Sequence, residues 1–206
     1  MPKLGFEWIL AHRGVWSLAN EQNTKDALLR GVQNGFGVES DFRDAFGQLV
    51  ISHDPPIGKE FLPFDHSFSS NRVAYNIKSD GLDSFFLDFC QNMTTTSSFV
   101  FDGSIPEMLR MKKLNIPHAL RLSEYESELP WFSDYVWVDG FEGDWWLKNA
   151  KILKLMETRH VIFVSPELHQ REYKNAFEWF TELRELSFNN FSVCTDFPLI
   201  LKSLNE

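Results

Sequence analysis

"GVESDFRDAFGQLVISHD", residues 37–54, decides how the rest of the chain is read. Its opening run has the aromatic and β-branched content of a strand, and it closes on Glu39 and Asp41. Residues two apart on a strand point the same way, so both carboxylates share one side. Gly47 marks a turn, and the apolar run 49–51 returns to deliver His53. Alone, a Glu-x-Asp is most often a solvated edge, and His-Asp-Pro is most often a turn. Their meaning depends on what surrounds them.

Outward from this stretch the same pattern recurs. Strands are expected at "EWILAH" (7–12), "GVESDF" (37–42), "RVAYNIK" (72–78), "SFVFDG" (98–103), "HALRLS" (118–123), "YVWVDG" (135–140), "HVIFVS" (160–165) and "FSVCTD" (191–196). Helical patterns fill most of the gaps. "NTKDALLRGVQNG" offers Asn23 or Thr24 as N-cap and Gly35 as a stop, and "SIPEMLRMKKLNIP" offers Ser104 as cap with Pro106 in the first turn. Residues 79–93, 144–158 and 171–186 read as further helices, and 123–132 as a weaker, shorter one. Eight strands alternating with helices predict an α/β fold: a compact (β/α)8 TIM barrel over a single domain, residues 1–206, with a small hairpin excursion after strand 2. A doubly wound open sheet is the alternative, disfavoured because "AHRGVW" stands where a Gly-rich phosphate loop would follow the first strand.

Composition narrows the function classes. The net charge is -9, from 20 Lys+Arg and 29 Asp+Glu, which argues against a nucleic-acid partner. An acidic chain can still bind one phosphate locally with a cation between them. Cys90 and Cys194 each sit in an apolar run and read as buried free thiols. No stretch has the apolar length of a membrane span, and the apolar run around Trp8 is too short for a signal sequence, so no integral membrane segment and a cytoplasmic location are expected. The many aromatic residues, 20 Phe and 7 Trp, are expected mostly in the core.

In a barrel of this kind the C-terminal strand ends carry the active site. They present His12, then Glu39 and Asp41, then Asn76 and Lys78, then Asp102 and Asp139. Two carboxylates two residues apart suit a hard divalent cation, Mg²⁺ or Ca²⁺. Two histidines from separate segments, His12 and His53, suit general acid–base work. His66, His118, His160 and His169 lack partners at ligand spacing and read as structural, while Glu142 and Glu167 stand near enough to strand ends to reach the mouth. Trp16, Phe61, Phe64, Phe68, Trp145 and Trp146 fall on or near mouth loops, as packing or as substrate contacts.

With those residues in order, the chain resembles the glycerophosphodiester phosphodiesterase family. "LAHRG" (10–14), "QNTKDAL" (22–28), "GVESDFR" (37–43), "LVISHDP" (49–55), "YNIK" (75–78) and "VCTDFP" (193–198) carry the resemblance. It implies a (β/α)8 barrel that hydrolyses phosphodiesters with a divalent cation. His12 and His53 would be the catalytic pair, Glu39 and Asp41 metal ligands, and Arg13 and Lys78 the cations that steady phosphate charge. Asn76 stands where the family has a third acidic ligand; its amide oxygen can coordinate the metal but brings no charge, so Asp102 on the next strand end is expected to compensate. Gln22 stands in place of an acidic residue, with Glu21 one position early.

The expected activity is therefore metal-dependent hydrolysis of a small organic phosphodiester. Two alternatives stay open: a metal-independent phosphodiester lyase, and a binding barrel without catalysis. Retention of Glu39 and Asp41 argues against the first, because two carboxylates without a cation would repel a phosphate.

Overall fold

The structure is a computed structural model and describes residues 6–45, 47–56, 62–63, 72–82 and 97–206. In chain order the strands are β1 (Ile9–His12), β2 (Gly37–Ala45), β3 (Gln48–Ile51), β4 (Leu62–Pro63), β5 (Val73–Ile77), β6 (Phe99–Phe101), β7 (Ala119–Leu122), β8 (Tyr135–Val138), β9 (His160–Val164) and β10 (Phe191–Thr195). The described helices are α1 (Lys25–Gln33), α2 (Ile105–Lys113), α3 (Ala150–Leu155), α4 (Lys174–Glu185) and α5 (Pro198–Ser203).

Parallel pairing runs from β6 through β5, β2, β1, β10, β9 and β8 to β7. A single parallel bridge, Val100 to His118, brings β6 against β7 and closes the ring. Among the described residues eight parallel strands thus form a (β/α)8 TIM barrel. The far half of β2 pairs antiparallel with β3 (Phe42 to Ile51, Ala45 to Gln48), and β3 pairs with β4. This is the hairpin excursion, and it carries His53 to the mouth.

The strands are apolar on both sides because both sides are covered. Alternation divides them into two cores. Leu10, Ala74, Phe99, Trp137, Ile162 and Cys194 fill the barrel's interior. Residues one position away, such as Ile9, Val73, Tyr75, Val136, Phe163 and Val193, face the helices. The outer layer is where much of the aromatic content goes: Trp146 stacks on Phe180 at 5.7 Å and meets Phe163 and Trp179. Cys194 is a buried free thiol. Among the described residues no helix is long and apolar enough to cross a membrane.

Local signals act as their chemistry dictates. The Thr24 side chain accepts from Ala27 N at the start of α1, and Ser104 accepts from Glu107 N at the start of α2. The helix expected from Asp144 begins only at Ala150, with Asn149 capping it. Two side chains delay it: Trp145 Nε1 donates to the Asp139 carbonyl at 2.7 Å, and Trp146 turns into the core. Residues 123–132 form no helix. The helix expected over 79–93 falls mostly outside the described residues, as do Phe61, Phe64, His66, Phe68 and Cys90.

Two positions make this architecture testable. Gly14 has φ +89°, and a Cβ there would meet the backbone of Ala27 at 2.4 Å. The glycine therefore lets α1 close against the end of β1. Gly14→Ala should cost about 2 kcal/mol from backbone conformation alone, lowering Tm by roughly 4–8 °C. An unchanged Tm would mean that α1 is not held by this approach.

At the barrel's N-terminal end, Arg72 Nη1 donates to Ser192 Oγ at 2.8 Å, and His160 Nε2 lies 2.8 Å from the same oxygen. Burial, and then the charge of Arg72, push His160 down to about 3. The folded chain thus binds fewer protons here than the unfolded chain between about pH 3 and 6.5, so this group favours folding above that window and opposes it as pH falls through it. The urea midpoint of wild type should drop more between pH 7 and pH 4.5 than that of His160→Gln. Equal drops would contradict this assignment.

Candidate active site

The C-terminal ends of the strands open on a cavity of about 540 Å³. His12, Glu39, His53, Asn76, Lys78 and Asp102 all line it, as does Arg13. The sequence-predicted residues are therefore brought together, with one qualification: Asp41 is fully buried and lies beneath the cavity wall.

Register explains the assembly. His12 pairs with Glu39 across β1 and β2, and Asp41 pairs with Asn76 across β2 and β5. Residues paired across parallel strands share a side, so these groups project into the barrel. After His12 the chain turns sharply through Arg13 and Gly14, both at positive φ (56° and 89°). The turn aims Arg13 N at both the carbonyl of Glu39 (3.0 Å) and its Oε2 (3.2 Å). Positive φ is costly for arginine, and such strain concentrates at functional sites.

Asp41 is the most heavily partnered of the group. Arg13 Nε lies 2.8 Å from its Oδ2 and Lys78 Nζ 3.4 Å from its Oδ1, while Asn23 Nδ2 donates to Oδ2 at 2.8 Å. The Asn23 Oδ1 in turn accepts from Ser40 Oγ and from Asp41 N. Asn23 thus ties the loop before α1 to β2. Its neighbour Gln22 accepts from Arg13 Nη1 at 3.1 Å and lines the cavity. Glu21 faces elsewhere: its carboxylate accepts from Ser17 N and Leu18 N and pairs with Arg30.

Glu39 is buried beside that charge. Desolvation first, and then the Asp41 carboxylate, raise it to about 7, against the opposing pull of His12, Arg13 and Lys78. His12 Nδ1 lies 2.6 Å from Asp196 Oδ1, and its Nε2 is 3.8 Å from Glu39 Oε2. Burial would lower the imidazole, but the Asp196 hydrogen bond and the charges of Glu39 and Asp196 outweigh it and hold His12 above its usual value. A carboxylate at Nδ1 makes that nitrogen the donor and leaves Nε2 for chemistry. His53 sits opposite, 47 % exposed, with Nδ1 2.8 Å from Asp54 Oδ1 and its carbonyl accepting from Arg43.

Asp102 is an ion-pair residue here. Arg121 Nη2 donates to its Oδ1, and Lys78 Nζ lies 3.4 Å from Oδ2. Arg121 was not singled out by the sequence, because an arginine at a strand end carries no motif. The same holds for Asp196 as the partner of His12. His169, read as structural, lines the cavity through the 3₁₀ turn Pro166–His169 that follows β9, with Nε2 2.6 Å from Asp139 Oδ1. Glu167 also lines it and accepts from Ser165, Thr195 and Asp196 N; burial, outweighing these bonds, raises its carboxyl. Glu142 instead accepts from Tyr125 Oη. His118 and His160 stay at the barrel's other end, with Trp131 Nε1 donating to His118. Trp16 donates to the His12 carbonyl.

Three buried oxygens at this mouth accept no hydrogen bond: Glu39 Oε1, Asp41 Oδ1 and Asn76 Oδ1. Buried acceptors are rarely left so. All are hard oxygen donors on adjacent strands, which is the donor chemistry of Mg²⁺ or Ca²⁺. Among the described residues no three His, Cys, Asp or Glu side chains cluster as a cation site by themselves.

No family model matches the chain, and no curated protein matches it. Solved structures do. The chain is similar to a candidate glycerophosphodiester phosphodiesterase from Galdieria sulphuraria, with a TM-score of 0.68 and 14% identity over 98% of this chain and 99% of that one. It is similar also to the glycerophosphodiester phosphodiesterase from Agrobacterium tumefaciens str. C58, with a TM-score of 0.62 and 13% identity over 94% and 98% of the two chains. The chain has the fold of these two proteins along nearly its whole length.

Proposed function

We propose that this chain is a phosphodiesterase that hydrolyses a small organic phosphodiester with the help of one divalent cation, Mg²⁺ or Ca²⁺. The observation that carries the reading is the convergence of His12, His53, Glu39, Asn76 and Lys78 on one cavity at the barrel's mouth. The motif resemblance and the shared fold with glycerophosphodiester phosphodiesterases support the same class.

The residues divide the work by their placement. Arg13 and Lys78 bring positive charge to a bound phosphodiester, and both are anchored on Asp41, which fixes where that charge stands. His12 is oriented by Asp196 so that Nε2 faces the site, and His53 faces it from the hairpin. One imidazole takes the proton of the entering water and the other returns a proton to the leaving alkoxide. The buried oxygens of Glu39, Asp41 and Asn76, which accept no hydrogen bond, fit a divalent cation and would hold it. That ion, when bound, supplies Lewis-acid stabilisation of the phosphoryl oxygens.

A second reading is favoured by two contacts at Asp41. Arg13 and Lys78 already lie against both oxygens of Asp41, which is where a metal-free site would keep its cations. In that case the two side chains alone would offset the phosphate charge.

Hydrolysis of bis(4-nitrophenyl) phosphate by wild type, His12→Ala and His53→Ala, each before and after EDTA, separates the readings. Wild-type activity should vanish with EDTA and return with Mg²⁺ or Ca²⁺. Each histidine variant should lose about 10²–10⁴ in kcat with its fold intact by circular dichroism. Activity that survives EDTA yet still needs both histidines would establish the metal-free reading, and activity indifferent to either histidine would overturn both.

A further inference from the structure

At the end of the barrel opposite the mouth lies a second cavity, of about 630 Å³, which the hydrolytic scheme does not use. We propose that it binds a small organic monocarboxylate, with Arg184 taking the carboxylate and an apolar wall taking the rest of the molecule. The inference goes beyond the phosphodiesterase reading and does not depend on it.

Three segments meet at this cavity. Phe6 and Trp8 come from the 3₁₀ turn that enters β1, Thr181 and Arg184 from the last turns of α4, and Leu204 and Asn205 from the chain just past α5. Helices of the barrel end where strands begin, so all three stand at the N-terminal end of the strands.

Arg184 carries the argument. Its guanidinium lies over the Trp8 ring, 5.2 Å from the centroid, and Trp8 is backed in turn by Phe191 at 5.5 Å. One face of the guanidinium is thereby covered, while its N–H edges stay available. Nη1 donates to the Phe188 carbonyl and to Asn189 Oδ1 at the long distances of 3.4 and 3.3 Å. Among the described residues Nε and Nη2 have no partner, and no carboxylate pairs with Arg184. Burial disfavours its charge and lowers its pKa, with no opposing pull from a neighbouring carboxylate. Arginines drawn from water are normally paired, as Arg13, Arg110, Arg121 and Arg171 are in this chain. The free Nε–Nη2 edge matches the two oxygens of one carboxylate.

The rest of the lining decides what accompanies that carboxylate. Thr181 Oγ1 donates to the Phe177 carbonyl at 3.1 Å. Asn205 Nδ2 donates to the Leu201 carbonyl at 2.8 Å and to Thr181 Oγ1 at 3.4 Å. Their donors are engaged within the protein, which leaves Arg184 as the donor a ligand can reach. Phe6, Trp8 and Leu204 add apolar surface. Exposed Glu185 and Glu206 stand at the rim, the latter 3.8 Å from Lys202 Nζ, and the negative ends of α4 and α5 lie beside them. Neither carboxylate touches Arg184, but both oppose a second negative charge, which favours a monocarboxylate over a phosphate or a dicarboxylate.

Calorimetric titration of the protein with benzoate, with its neutral isostere benzamide and with the dianion terephthalate tests the site. Wild type should bind one benzoate per chain, tighter than benzamide by about tenfold or more, the size of one charge-assisted hydrogen bond. Terephthalate should bind more weakly than benzoate. In Arg184→Met the preference for benzoate over benzamide should disappear. Should that variant fail to fold, Leu204→Glu replaces it: Leu204 is exposed, and a carboxylate placed on the cavity wall should weaken benzoate several-fold. No saturation of wild type by benzoate below about 10 mM would overturn the site, as would equal binding of benzoate and benzamide. So would benzoate binding unchanged in a folded variant, the result expected if benzoate sat on the cations of the mouth instead. Terephthalate binding tighter than benzoate would overturn the monocarboxylate class.

Discussion

Two carboxylates buried two residues apart on one strand set the terms for everything around them. Glu39 and Asp41 repel each other in a medium that solvates neither well, and an ion left unpaired in such a place costs several kcal/mol. The neighbouring sequence is arranged against that cost. Arg13 adopts a left-handed backbone to reach them, Gly14 makes room for the turn, Asn23 reaches across from the loop before α1, and Lys78 comes in from β5. The offset is incomplete: Glu39 Oε1 and Asn76 Oδ1 have no hydrogen-bond partner, and Asp41 Oδ1 has only the Lys78 ammonium at 3.4 Å. That residue of unmet demand is what a bound cation would satisfy, and it links the electrostatics of β2 to phosphate chemistry.

The mouth built on this constraint has two unlike halves. On one side, His12 with Asp196 and His53 with Asp54 face the Glu39–Asp41 pair. On the other, His169 pairs with Asp139 and Arg121 with Asp102. The barrel makes the division possible because each strand end can be specified separately over a shared apolar floor.

Much of this was legible in the sequence because it lies in short-range pattern. The eight strands, the Thr24 and Ser104 caps and the hairpin that carries His53 follow from period-2 runs, capping chemistry and a glycine turn. Placing Glu39 and Asp41 on one side needed only strand geometry. What stayed hidden depends on which strand ends meet across the barrel. Arg121 looks like any surface arginine until β7 stands next to β6 and Asp102. His169 looks like a loop histidine until a 3₁₀ turn folds it onto Asp139. Asn76 was different: its place on a strand end already marked its amide oxygen as a candidate ligand, and that oxygen is buried without a hydrogen-bond partner. The late start of α3 is a tertiary effect as well, set by where two adjacent tryptophans find their partners.

Direct cation binding bears most directly on the role of the buried pair. Calorimetric titration of metal-stripped wild type with Mg²⁺, Ca²⁺ and Mn²⁺, beside Glu39→Gln under the same conditions, reads it without reference to any substrate. One ion per chain is expected for wild type, with affinity lost or much reduced when Glu39 gives up its charge. No binding to folded wild type at millimolar concentrations of any of the three ions, or equal binding by Glu39→Gln, would contradict a cation site at the Glu39–Asp41 pair of β2.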